Sequence, residues 1–203
     1  MSALYLSGGG LAFPSVPDGP TAGSSATTEQ RADISSSLAS QLSAGKAVFS
    51  RREPVRLTWT LTNVAAREVL VISHYAVGNR RHFDPLELRI VRREDRKVWT
   101  LALTGPRKAA AKIACLLAPG RTLRHDIDVA EWSSLQRVDL GMGTFEVVAV
   151  YRVAATERPV REWANCDEVP PDGSAVPRME TGPPRDPWRG VLESSPAALE
   201  IRN

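Results

Sequence analysis

Histidine and carboxylate residues lie close together at two places in this chain of 203 residues. His82 and Asp84 are separated by one residue, and His125 is followed by Asp126 and then, two positions on, by Asp128. Imidazole and carboxylate groups bind zinc or transfer protons, so a metal-dependent hydrolase built on these two groups is one hypothesis. The sequence does not show that the two groups meet in space.

A place in the core is the competing interpretation of His125. It alternates with Leu123 and Ile127, and this period of two puts all three side chains on one face of a strand. The chain also lacks the HExxH, GxSxG, P-loop and GxGxxG patterns of common enzymes. We therefore expect no catalytic residue, no metal site and no cofactor.

The composition is that of an ordinary globular protein, with 42% hydrophobic and 24% charged residues. The net charge of +3 is small for a nucleic-acid-binding protein, and no apolar run is long enough to cross a bilayer. We therefore expect neither a nucleic-acid nor a membrane partner. No basic segment followed by an apolar one marks a secretory signal, so the sequence favours a cytoplasmic location.

Strictly alternating segments determine the predicted fold. In Val55–Asn63 (VRLTWTLTN), apolar residues alternate with Arg and Thr, and Trp59 is the largest of them. Similar alternation returns in three later segments: Leu86–Arg92, Leu123–Val129 and Thr144–Val153. One face of such a strand lies on a core and the other in water, as in antiparallel sheets. With turn signals at fairly even spacing, the pattern predicts an all-β antiparallel sandwich.

The remaining segments divide the chain into an arm, a domain and an insertion. Residues 1–31, rich in Gly, Ser and Pro, are predicted to form an N-terminal arm, and residues 32–203 the sandwich domain. Ala32–Ala44 is read as an irregular first strand, with a short helix as the alternative, and Trp132–Leu140 as a crossing segment. Residues 154–187 are rich in proline and are predicted to be a long insertion with little β character before the last strand.

Four motifs in the same order resemble bacterial immunoglobulin-like domains: VFSRREPVRLTWTLTN, LAPGRTLRHDIDV, GTFEVVAVYRV and WRGVLESSPAALEI. They cover residues 46–201, interrupted by the insertion, and Arg52 stands where that family usually has glycine. The resemblance implies an immunoglobulin-like β-sandwich. Related sandwiches serve as intracellular proteinase inhibitors of the BsuPI type and as non-catalytic modules of secreted metallopeptidases and glycosidases, so the fold alone does not imply one function.

Apolar residues on segments that cannot bury them locally mark an interaction surface. Such residues in the arm and the insertion are the predicted partner contacts: Leu4, Tyr5, Leu6, Phe13, Trp163 and Met179. We therefore predict a non-catalytic protein-binding module, proteinase-inhibitor-like or an assembly subunit, with a protein partner or self-association. The alternative is a carbohydrate-binding accessory module in which Trp163 and Trp132 stack on sugars.

The chain has two cysteines, Cys115 and Cys166. Two cysteines are too few for a disulfide scaffold, and they lack the spacing of a zinc site. The favoured interpretation is a buried thiol at Cys115 and a separate loop thiol at Cys166. A bridge between the two is the alternative.

Overall fold

The computed structural model describes residues 37–77, 80–82, 85–102, 111–135, 138–171 and 177–203. The predicted arm, with Leu4, Tyr5, Leu6 and Phe13, lies outside these ranges, as does Asp84. In chain order the strands are β1 (Leu38–Ala44), β2 (Val48–Ser50), β3 (Arg56–Asn63), β4 (Val69–Val77), β5 (Arg80–His82), β6 (Leu86–Arg92), β7 (Val98–Ala102), β8 (Ala111–Leu117), β9 (Thr122–Asp128), β10 (Gly143–Val153), β11 (Val160–Asn165), β12 (Glu180–Arg185), β13 (Gly190–Glu193) and β14 (Ala197–Arg202). Within the described ranges one α-helix, α1 (Val129–Leu135), and a 3-10 turn, Cys166–Glu168, complete the elements. No described helix has the length and apolar character needed to span a membrane.

The strands form three sheets. A three-stranded sheet has the order β1-β3-β9, and a five-stranded sheet has the order β12-β11-β8-β4-β5. A six-stranded sheet has the order β2-β14-β10-β6-β7, with β13 also paired to β10. This architecture confirms the predicted all-β sandwich. The pairing is mostly antiparallel, as expected, but β14 pairs with β2 and β11 pairs with β8 in parallel.

The core lies where the other two sheets meet the inner face of the six-stranded sheet. Trp59 of β3 stacks on Tyr151 of β10 with ring centroids 5.4 Å apart. The Tyr151 hydroxyl reaches the backbone of Ile72 on β4. Both rings are fully buried, so one apolar layer is shared by strands from all three sheets.

The two segments with the clearest alternation confirm their predictions. In β3 the residues alternate between buried and partly exposed, with Trp59 and Leu61 completely buried. In β10 the predicted inward set is buried: Phe145, Val147, Ala149 and Tyr151. Ala32–Ala44 contains a strand from Leu38 onward, as predicted. Trp188, just before the last two strands, is buried.

The structure adds a helix to one predicted segment and corrects the prediction for another. The segment Trp132–Leu140 begins inside helix α1, which packs Trp132 into the core. The stretch 154–187 has substantial β character, because it contains β11, β12 and the 3-10 turn. Its strands extend the five-stranded sheet through β8, so this stretch is part of the sandwich where it is described.

Candidate functional site

A buried polar centre joins β4 to β9. The Ser73 Oγ lies 3.0 Å from Nδ1 of His74 and 3.1 Å from Nε2 of His125. Two neighbouring residues of β4 reach the interior because the register with β8 shifts between Ile72 and His74, as in a β-bulge. A hydroxyl has one hydrogen, so Ser73 donates to one imidazole and accepts from the other.

This centre has the residue types of a serine nucleophile with its base. Ser73 and His74 are each 2% exposed, however, and His125 is 1% exposed. The Trp59 ring stacks on His125, with centroids 5.7 Å apart and planes 8° apart. A substrate has no path to this hydroxyl in the described structure, so the centre acts as a polar connection within the core.

The histidine and carboxylate groups of the hydrolase hypothesis do not converge in the described residues. His125 faces the core, whereas Asp128 lies three positions along β9 and points to the opposite face. The Asp128 carboxylate accepts a hydrogen bond from the Ala130 backbone N–H and caps helix α1. His82 pairs in register with Tyr75 on β4. Among the residues that are described, no group of three or more His, Cys, Asp or Glu residues could hold a metal ion.

The two tryptophans expected to stack on sugars are buried. Trp132 is 1% exposed and Trp163 is 5% exposed, so the expectation that they are available to a ligand is wrong. Trp163 is covered by β12, where the Arg185 guanidinium lies 4.7 Å from its ring centroid. Met179 is partly buried and packs against the main core. This cover could not be predicted from the sequence, because β12 contains consecutive prolines.

A disulfide joins Cys115 of β8 to Cys166 at the end of β11. The favoured interpretation of two free thiols is therefore wrong, and the alternative is correct. The two strands run in parallel, with Ala164 opposite Cys115, and the Cα atoms of the two cysteines are 4.9 Å apart. Pairing of this kind depends on which strands become neighbours, so sequence separation alone gave no signal for it.

A small cleft lies at one end of the six-stranded sheet. Its volume is about 90 Å³, and it is lined by Ile72, Tyr75, Pro85, Glu87, Arg152, Val153, Ala154 and Glu157. The Glu157 carboxylate pairs with the Lys112 ammonium and accepts a hydrogen bond from the Tyr75 hydroxyl at 3.4 Å. The Arg189 guanidinium donates two hydrogen bonds to the Glu157 carbonyl, at 2.8 and 3.2 Å. These bonds fix the turn that contains Glu157. This volume holds only a few waters or one small polar group.

The outer face of the six-stranded sheet carries valines that the sequence analysis did not single out. Val147, Ala149 and Tyr151 face the core, so Val148 and Val150 point to the other side of β10. They are nevertheless only 9% and 4% exposed. Something on the outer face must therefore cover them.

An ion pair spans the outer face at these positions. Arg89 on β6 lies opposite Val148, and Glu193 on β13 lies opposite Val150. The Arg89 guanidinium donates two hydrogen bonds to the Glu193 carboxylate, at 3.2 and 2.9 Å. Because β10 lies between β6 and β13, the pair spans the outer face of β10. The two side chains remain 43% and 48% exposed.

Two exposed apolar side chains lie on the same face, at opposite corners, with Arg89 and Glu193 between them. Val98 on the edge strand β7 is 55% exposed, and Val191 on β13 is 54% exposed. Val98 lies opposite Val91 on β6, and Val191 lies opposite Arg152 on β10. Both pairs of side chains point to the outer face of the sheet. We refer to five residues as the valine surface: Val91, Val98, Val148, Val150 and Val191.

Comparisons with known proteins do not assign a family. No protein-family model matches the chain, and no curated protein matches it. A solved β-glucosidase from Erythrobacter marinus is similar over 81% of this chain, with 9% sequence identity and a TM-score of 0.35. The chain spans 15% of that enzyme's chain. A likeness this weak carries no argument about fold or activity.

Proposed function

We propose that this chain is a non-catalytic, protein-binding β-sandwich module whose contact surface is the valine surface. The observation that supports the proposal is the concentration of exposed apolar side chains on one sheet. Five large apolar side chains are strongly exposed in the described residues, and three of them lie on the six-stranded sheet (Val48, Val98 and Val191), whereas Val64 and Met142 lie outside its strands. An apolar patch rimmed by charged groups is the usual mark of a protein interface.

The ion pair between Arg89 and Glu193 makes this surface suited to reversible binding. An exposed ion pair contributes about 0–1 kcal/mol, so a partner can displace or re-pair it at little cost. Displacement would open Val148 and Val150, which extends the apolar area available to a partner. Arg89 and Glu193 would then form part of a polar rim, as in typical interfaces.

Proteinases are the partner class to test first. The four strand motifs resemble immunoglobulin-like domains that include proteinase inhibitors, and this resemblance is the reason for the choice. The disulfide between Cys115 and Cys166 also bears on the setting, because structural disulfides persist mainly in oxidising compartments. We therefore favour a partner that is met outside the reducing cytosol. The carbohydrate alternative is not carried further, because Trp132 and Trp163 are buried.

Site-specific photocrosslinking tests the proposal. A benzophenone amino acid replaces Val98 in one variant and Val64 in a matched control, since Val64 is 58% exposed but lies in the loop after β3. We expect one discrete protein adduct at position 98 in the source cells and none at position 64. With the adduct protein purified, the double variant Val98→Lys and Val191→Lys should weaken binding at least about tenfold in calorimetry, since interface side chains cost more than about 1 kcal/mol when they matter.

The control substitution is Val64→Lys, which should leave the affinity unchanged. Adducts of equal yield at both positions, or an affinity that the double valine variant does not alter, would show that the valine surface is not the contact.

A further inference from the structure

The edge of strand β1 presents unpaired backbone groups. The Val64 N–H donates to the Ser37 carbonyl at 2.9 Å, which marks this opposed pair as hydrogen-bonded. Such pairs alternate along an antiparallel ladder, so Ala39, Gln41 and Ser43 direct their N–H and C=O groups toward β3. Residues at the intervening positions direct theirs away from the sheet: Leu38, Ser40, Leu42 and Ala44.

Hydrogen bonds elsewhere in the three-stranded sheet agree with this alternation. The Asn63 N–H donates to the Arg121 carbonyl at 3.0 Å, and the Val129 N–H donates to the Val55 carbonyl at 3.0 Å. The odd-numbered residues of β3 therefore bond to β9, and the even-numbered ones bond to β1. Across the described ranges, no backbone group pairs with the outward-directed groups of β1.

The sequence of strand β1 lacks two of the features that normally protect an edge, charge and proline. Its sequence, LASQLSA, runs for seven residues without a charge or a proline. Short strands, prolines, charges or covering loops usually block such edges. Strand β12 contains Pro183 and Pro184, and β2 and β5 have three residues each. Strand β9 carries Arg124 and Asp126, and the Asp126 N–H donates to the Pro171 carbonyl.

We propose that the β1 edge binds the β1 edge of a second copy of this chain, in an antiparallel pair centred on Gln41. In this register Leu38 lies opposite Ala44 of the second copy, and Ser40 lies opposite Leu42 of the second copy. Every outward-directed residue of β1 is then paired. The result is one continuous sheet, with the order β9-β3-β1 in one copy followed by β1-β3-β9 in the second copy.

Charge and side-chain placement favour a second copy as the occupant. No charged residue of β1 meets its own equivalent, because the strand has none. Leu38 and Leu42 are 4% and 5% exposed and face the core, and the antiparallel register keeps them on the core side in both copies. This interface is separate from the valine surface, which lies on a different sheet, so it goes beyond the proposed function.

Charge placed at the symmetry axis tests the proposal. Gln41 is exposed and would lie directly opposite Gln41 of the second copy, where like charges are destabilising. We expect sedimentation equilibrium of the full chain to show a dimer. Its dissociation constant should rise at least about fivefold in each of the two single variants, Gln41→Lys and Gln41→Glu. An equimolar mixture of the two variants should restore dimers, because each axis position then pairs Lys with Glu.

The matched control is Thr60→Lys, since Thr60 lies opposite Gln41 on β3 and is one strand removed from the axis. It should leave the dissociation constant within about twofold of the original, with all variants showing the same circular dichroism.

A wild-type chain that stays monomeric up to several hundred micromolar would overturn the proposal, as would a dimer that neither charge variant weakens. A monomer that binds extended peptides would assign the edge to a different occupant. Val98→Lys and Val191→Lys should not change the dimer, so failure here leaves the proposed function standing.

Discussion

The packing of Trp163 depends on the absence of a side chain at Gly182. A Cβ atom built at Gly182 would lie 2.6 Å from Cη2 and 3.1 Å from Cζ2 of the Trp163 ring. The ring cannot move outward freely, because Arg185 lies over it and the residue is almost fully buried. Glycine is therefore required here by close approach of a ring and not by a special backbone conformation.

Gly182→Ala is expected to lower the free energy of unfolding by about 1–3 kcal/mol, the usual cost of overpacking. The measurement is urea denaturation followed by tryptophan fluorescence. Gly45→Ala is the matched control, since nothing lies within 4 Å of a Cβ at that position, and it should change the stability by less than about 1 kcal/mol. Equal effects of the two substitutions would show that the Trp163 contact does not decide the cost at Gly182.

Strand β4 shows how one side chain can replace a missing neighbour strand. Strand β5 pairs with β4 only from Tyr75 to Val77, so the same edge is open at Ile72. There the Tyr151 hydroxyl donates to the Ile72 carbonyl at 3.0 Å and accepts from the Ile72 N–H at 3.1 Å. Burial raises the pKa of Tyr151 far above its usual value, which keeps the hydroxyl protonated and able to donate.

Tyr151→Phe is expected to cost about 1–3 kcal/mol, because it leaves the N–H and C=O of Ile72 buried without partners. Chemical denaturation measures this loss. Thr62→Val serves as the control: it removes a hydroxyl whose hydrogen bond to Thr122 is exposed, and it should change the stability by no more than about 0.5 kcal/mol. A Tyr151→Phe protein as stable as the control would mean that the hydroxyl does not connect the sheets energetically.

At the scale of the whole molecule, the disulfide restricts the unfolded chain. Cys115 and Cys166 are 51 residues apart in sequence and are fully and nearly fully buried. A cross-link that closes a loop of this length removes conformational entropy equivalent to about 4 kcal/mol in the chain-entropy model. Its contribution therefore belongs to the global stability and not only to the strands it touches.

Replacing Cys115 and Cys166 together by alanine should lower the free energy of unfolding by about 4 kcal/mol. Guanidinium denaturation with and without dithiothreitol measures the change. Reductant should shift the midpoint of the wild-type protein toward that of the double variant and leave the variant itself unchanged. Identical midpoints for wild type and variant under oxidising conditions would contradict a stabilising disulfide.

The parts that could be predicted from the sequence are those with one buried face. Strands β3 and β9 alternate strictly, and β6 and β10 carry an apolar residue at every second position, so their existence and their inward residues follow from local pattern. Strand β12 (ETGPPR) could not be predicted, because its prolines argue against a strand and only the contact with β11 orders it. The same limit applies to the valine surface, since Val148 and Val150 are recognised as outward-facing and covered only when β6 and β13 are known as neighbours.

The edge strand β9 would limit how many copies can associate by the proposed pairing of β1. One rim of the three-stranded sheet is open at β1, and the opposite rim is occupied where Pro171 bonds to Asp126. In the described residues, strand addition at β1 would use the uncharged edge of this sheet when two molecules meet, and a third molecule would meet only the charged edge of β9. The proposed association through β1 would therefore be a closed pairing with fixed stoichiometry and would not propagate into a filament.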